Sequence, residues 1–216
     1  MDEFKADSLG TEVVPAFVNY VEGIYVGYKF YETAAAEGLI DYDKTVVYPF
    51  GRGLSYTTFT QTLNSVTEAD GTINVDVTVT NTGSASGKEV VEVYYNPPYT
   101  NGGIEKASAN LIGFAKTSEL APGASENVTV TFKAEDMASY DTYGKGCYVL
   151  EKGDYVISIN ADSHTVLDSK VYNVASDIVY DASNKRESDV EVADNKFDFA
   201  EGNVTYLSRA DGFANY

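Results

Sequence analysis

The chain has 216 residues, and its 33 acidic side chains against 15 basic ones give a net charge of −18. Such a surface repels phosphate backbones and anionic bilayers, so neither nucleic acid nor a membrane surface is an expected partner. A hydrophobic content of 44% is enough for a packed core and excludes a disordered chain. Cys147 is the only cysteine and His164 the only histidine, which excludes an intrachain disulfide framework and a Cys/His zinc cluster. No apolar run approaches the roughly 20 residues that cross a bilayer. The opening MDEFKADSLG lacks the basic and apolar regions of a secretory leader, so a cytoplasmic location is the expectation.

In chain order, the first 50 residues are too few to bury a core of their own and must pack on something else. Ile24, Val26 and Tyr28 alternate, which predicts a short strand, and residues 30–37 predict a helical turn or a loop. Residues 44–48 form a second short run. The segment 48–59, YPFGRGLSYTTF, then separates two regions of different character. Pro49 holds Tyr48 extended, Gly51 and Gly53 permit a sharp bend around Arg52, and a strand-like text follows.

From residue 55 to about 175, strand signals recur with turns between them. In TINVDVTVT (72–80), Ile73, Val75, Val77 and Val79 face one way and polar residues the other, the period of a half-buried strand. EVVEVYY (89–95) is the next strand, and Pro97 and Pro98 end it because proline cannot donate to a ladder. Residues 111–116 form a short strand. Ala121-Pro122-Gly123 is a turn, and residues 127–133 alternate with Val128, Val130 and Phe132 inward. Gly153 two residues before Tyr155 matches the tyrosine corner of sandwich domains, with Tyr155, Ile157 and Ile159 inward. Residues 165–174 supply a last strand. The expected fold is all-β: an immunoglobulin- or fibronectin type III-like sandwich of about seven strands with irregular N- and C-terminal extensions. Residues 177–202 are acidic and poor in aliphatics, the composition of a linker or surface-wrapping tail.

Candidate chemistry is sparse. Glu135/Asp136 and Asp41/Asp43 are the tightest carboxylate pairs, yet neighbouring acids on a strand point to opposite faces. A retaining glycosidase needs two carboxyls across a pocket. Residues 68–71 and 41–43 lack the spaced ligands of a calcium loop and are expected as solvated turns. The Asn127 and Asn203 glycosylation patterns are read as chance matches in a bacterial chain. His164 is expected on a surface or edge strand and Cys147 on the core side. Tyr94, Tyr95 and Tyr99 around Pro97-Pro98, and Tyr140, Tyr143 and Tyr148 later, fit core packing and loop anchoring; a sugar-stacking platform is the alternative.

Residues 20–31 (YVEGIYVGYKFY) and 48–59 resemble two segments of glycoside hydrolase family three, and residues 89–161 resemble that family's fibronectin type III-like domain. Lys29 stands where arginine is commoner and Arg52 where histidine is. Residues 195–211 are similar to the link found in members with inverted domain order. The resemblance implies three parts: 1–54 from the end of an α/β sandwich domain, 55–175 the fibronectin type III-like domain, and 176–216 an acidic linker toward a barrel. It implies a parent enzyme of β-glucosidase type, retaining in mechanism, whose nucleophile and acid/base lie in segments outside this chain. No catalytic, cofactor-binding or metal-binding residue is therefore expected here, and no cofactor. The chain would be an accessory, structural region, its partners the parent's catalytic domains, with Arg52 fixing the joint. The alternative is an autonomous carbohydrate-binding or adhesion module that binds β-linked oligosaccharides through Tyr94, Tyr95 and Tyr99.

Overall fold

The computed structural model describes residues 18, 20–190 and 204–216. Two antiparallel sheets face each other. One has the order β1–β2–β5, from β1 (Phe59–Ala69), β2 (Thr72–Asn81) and β5 (Ser125–Lys133). The other has the order β4–β3–β8–β9, from β3 (Val90–Asn96), β4 (Asn110–Lys116), β8 (Gly153–Asn160) and β9 (Val166–Val174). These are the seven strands the alternation predicts.

The core forms where the two apolar faces meet. Ile73, Val75, Val77 and Val79 on β2 are wholly buried, as are Val91 and Val93 on β3 and Ile157 and Ile159 on β8. β-Branched side chains suit a pleated, two-sided surface, and their burial against the opposite sheet is the main force holding the sandwich closed. The tightest turn, between β1 and β2, has Asp70 at φ 51° and Gly71 at φ 73°, the paired left-handed conformation of a two-residue hairpin. Glu68 closes it by accepting the Gly71 amide at 2.7 Å, so this acidic stretch is a turn. At the start of β8 the Tyr155 hydroxyl donates to the Glu151 carbonyl at 3.1 Å, completing the predicted tyrosine corner.

A third, small sheet lies beside the sandwich in the order β10–β7–β6, from β6 (Ser139–Tyr140), β7 (Tyr148–Leu150) and β10 (Ile178–Tyr180). β10 falls in the stretch whose composition reads as a linker. Its three residues pair with β7, and Tyr180 packs against the core. Residues 191–203, which include the end of that stretch and Asn203, lie outside the described residues.

The expected strand at Ile24–Tyr28 does not form. Gly23 (φ 56°) and Gly27 (φ 59°) break the extended backbone, and Gly27 leads into helix α1 (Tyr28–Ala36). Tyr25 is buried while Ile24 and Val26 are exposed, the reverse of the face that alternation selects. A four-residue helix, α2 (Tyr42–Thr45), follows. These helices lie over the outer face of the four-stranded sheet. The Tyr28 hydroxyl accepts the Leu111 amide at 2.9 Å, and Thr33 Oγ1 accepts the Ser108 amide at 3.0 Å.

Asn81 carries the entrance to the sandwich. It is fully buried and uses both its acceptor and donor atoms: Oδ1 accepts from Thr57 Oγ1 (2.8 Å) and the Gly83 amide (3.0 Å). Its Nδ2 donates to the carbonyls of Ala85 and Leu120, each at 2.8 Å. Asn81→Ala strands several of these groups at once, each costing about 1–3 kcal/mol. Urea unfolding is expected to register a loss of at least about 2 kcal/mol for this variant.

Candidate functional site

The most organised polar structure in the molecule is the junction between the sandwich and its flanks. It has two centres. The first is Glu32, on the buried side of α1. Its Oε1 accepts from the Tyr42 hydroxyl (2.6 Å) and from Ser163 Oγ (2.7 Å), and its Oε2 lies 2.8 Å from His164 Nδ1. The His164 ring stacks on Tyr42 with centroids 3.6 Å apart and planes 4° from parallel. Ser163 and His164 belong to the β8–β9 connection, so one carboxylate ties both helices to the sandwich. Burial and the Glu32 carboxylate push the Tyr42 hydroxyl well above its ordinary value, so it stays a donor at neutral pH. His164 is therefore half-exposed, as expected of a surface position, and has a structural bond that local sequence does not announce.

The segment 48–51 is held from the same side. The Phe50 carbonyl accepts the Ser163 amide at 2.8 Å, and the Phe50 ring stacks on Tyr28 at 4.7 Å. Gly51 has φ 86°, a left-handed conformation that favours glycine, and a Cβ there would have to displace the end of the Glu92 side chain. Within this chain the Arg52 side chain is exposed, with its guanidinium 4.9 Å from the Tyr48 ring centroid.

Glu92 itself projects from β3 beneath this segment and accepts from the Tyr94 hydroxyl at 2.9 Å. Desolvation raises its carboxyl above the ordinary glutamate value, and the negative charges of Asp162 and Glu89 act in the same direction.

The second centre is Glu105, in the loop between β3 and β4. It accepts from the Tyr25 hydroxyl of the N-terminal flank, and from Ser208 Oγ (2.5 Å) and the Arg209 amide (3.1 Å) of the C-terminal flank. Arg209 donates through Nε to Glu37 Oε1 (2.5 Å) and through Nη1 to the Lys106 carbonyl (3.2 Å), and it covers the Tyr99 ring at 4.1 Å. The flanks also meet directly: the Leu207 amide donates to the Val21 carbonyl at 2.8 Å. Phe213 packs its ring on Tyr25 at 4.7 Å, and Tyr216 lies 4.2 Å from Phe30. Tyr25, Phe30, Ala34, Ala107, Leu207 and Phe213 thus form a second core, separate from that of the sandwich.

The proposed tyrosine platform does not exist in this form. Tyr94 is 2% exposed under Tyr28, Tyr95 packs against the sandwich core, and Tyr99 lies under Arg209. Strand alternation decides the first two, since Tyr95 shares the inward face of Val91 and Val93. Tyr140 and Tyr148 do come together, edge to face at 5.1 Å. With Cys147, Tyr180 and Arg186 they line a cavity of about 400 Å³ at the small sheet. The carboxylate pairs make local structural bonds. Asp136 accepts the Lys133 amide, Glu135 the Glu187 amide, and Asp41 the Lys44 ammonium. Among the described residues no group of three or more His, Cys, Asp or Glu side chains could hold a metal ion.

A two-sheet antiparallel sandwich with a tyrosine corner defines the class, a fibronectin type III-like domain, and residues 89–163 match the family model of that name. The similarity extends beyond the domain. The chain is 42% identical over 157 residues to β-glucosidase A of Butyrivibrio fibrisolvens, and 38% over 147 residues to a β-glucosidase of Ruminococcus albus. These matches cover 64% and 66% of this chain but only 18% and 14% of those enzymes. Among solved structures, a β-glucosidase from Paenibacillus barengoltzii superposes with a TM-score of 0.65 at 38% identity, over 74% of this chain and 18% of that one. β-Glucosidase 3B from Thermotoga neapolitana, in complex with α-D-glucose, gives 0.62 at 35% identity, over 73% and 20%. The chain thus carries a fibronectin type III-like domain and is similar, over about 65–75% of its length, to part of glycoside hydrolase family three β-glucosidases. It spans about a fifth or less of the length of these relatives.

Two outcomes follow from the junction. A carboxyl whose folded pKa is raised contributes stability that is complete below the unfolded pKa and is lost as pH rises through the folded value. Glu92→Gln keeps an acceptor for Tyr94 without the charge. Its urea midpoint relative to the parent chain is expected to increase as pH rises from the ordinary glutamate value toward neutrality. Arg209→Ala removes the ties to Glu37, Lys106 and Tyr99. Hydrogen exchange is expected to accelerate at the Leu207 amide while β2 and β8 keep their protection.

Proposed function

We propose that this chain is the accessory, structural fibronectin type III-like region of a larger β-glucosidase-like hydrolase, and that it is non-catalytic by itself. The parent would hydrolyse O-glycosidic bonds by a retaining mechanism in domains outside these 216 residues. In this reading residues 1–54 close an α/β sandwich domain, 55–175 are the brace, and 176–216 lead toward a barrel, the inverted domain order.

The observation that carries the proposal is the meeting of the flanks. Leu207 bonds to Val21, and Glu105 binds Tyr25, Ser208 and Arg209 together. A module joined in this way brings the chain that enters it beside the chain that leaves it. That is what holding two catalytic domains in register requires, because reacting groups must be positioned within a fraction of an ångström.

The test is a transplant. The matched stretch of the Butyrivibrio fibrisolvens enzyme is replaced by this chain, and hydrolysis of a chromogenic β-glucoside is measured. Activity is expected for the chimera and not for the isolated chain. Turnover by the isolated chain above a heat-killed control, or an inactive chimera, overturns the reading.

A further inference from the structure

Residues 46–59 (VVYPFGRGLSYTTF) contain a single charged side chain, Arg52, in a chain of net charge −18. Val47, Tyr48, Phe50, Leu54 and Tyr56 in this stretch are all exposed, and Leu54 and Tyr56 are essentially bare at 94% and 101%. Single exposed hydrophobics are ordinary, but five within ten residues mark an interaction surface. The first part of the stretch is anchored rather than loose. The Phe50 carbonyl is bonded to Ser163, Gly51 sits against Glu92, and the Arg52 amide donates to the Pro49 carbonyl at 3.3 Å. Beside it, a groove of about 420 Å³ runs between Tyr28, Tyr31, Tyr42 and residues 45–48 with Phe50. Arg52, over the Tyr48 ring, places one cation among these apolar groups.

We propose that this face is the docking surface for the catalytic part of the parent hydrolase, which presents apolar side chains around a carboxylate that receives Arg52. The inference rests on the accessory-region reading above. The relatives place this region within chains more than five times the length of the match, so a large, covalently tethered surface is at hand. A second copy is the poorer occupant, because it brings its own charge of −18 to the contact. A tethered partner also needs little intrinsic affinity, since its local concentration is high.

The test uses the active chimera and the isolated chain side by side. Leu54→Asp and Tyr56→Asp are compared with Val171→Asp, an exposed apolar position on β9. The first two are expected to lower the melting temperature of the chimera by at least about 2 °C, with the isolated chain and the Val171→Asp chimera unchanged. Arg52→Glu is expected to act in the same direction and Arg52→Lys to retain most of the stability. If the Leu54, Tyr56 and Arg52→Glu variants all match the unsubstituted chimera, the docking surface is wrong while the accessory reading stands. An inactive chimera overturns both. If the isolated chain sediments as a dimer that Leu54→Asp dissociates, the occupant is a second copy and the proposal falls.

Discussion

Glu32 is a carboxylate with 7% of its residue surface left to water, and an ion in that position must find its hydrogen bonds within the protein. It takes them from Tyr42, Ser163 and His164, which come from a helix and from a strand connection some 130 residues further along. Ser158 and Asn160 on the outer face of β8 are buried, and the helices over the outer face of that sheet are tied down by Glu32 together with Tyr28 and Thr33. Losing one partner would leave a buried charge short of a bond, which costs more than the bond itself contributes when made. The N-terminal flank is thus part of the fold that holds the four-stranded sheet.

The same economy of contacts explains the loop between β3 and β4. Lys106 is almost wholly buried, with its ammonium on the Pro98 carbonyl and the Glu151 carboxylate, and Glu151 also supplies the carbonyl of the tyrosine corner. That pins the loop, and the pinned loop offers Glu105 at a defined place. An exposed ion pair would give little, but a carboxylate shared by two segments and backed by a buried lysine sets position as well as energy.

Sequence periodicity makes the sandwich legible because a two-residue repeat has few structural interpretations. TINVDVTVT can bury Ile73, Val75, Val77 and Val79 together only as a strand, and it does. Tyr155 after Gly153 is legible for a related reason, since a local backbone bond recurs at a fixed offset. The junction is not legible in this way. Ile24, Val26 and Tyr28 alternate as a strand would, but two glycines at positive φ turn the chain so that Tyr25 goes inward instead. Glu32 and His164, like Tyr25 and Glu105, are unremarkable side chains until folding brings them together across 132 and 80 positions. No local window contains that pairing. The resemblance to a hydrolase family could be read from the 48–59 segment, but the mechanism of the joint required coordinates.

The backbone bond between Leu207 and Val21 makes the whole sandwich a loop closed at its base. A pull applied to the two flanks therefore does not load the strands first. The force runs from one flank to the other through Leu207, Arg209 and the Tyr25–Phe213 ring contact, and the β ladders lie outside its path. Thermal motion of two attached bodies would likewise be resisted at this small clasp rather than in the core. The sandwich keeps its shape under such loads because it is bypassed by them, and the mechanical limit of the region is set by a handful of side chains around Glu105.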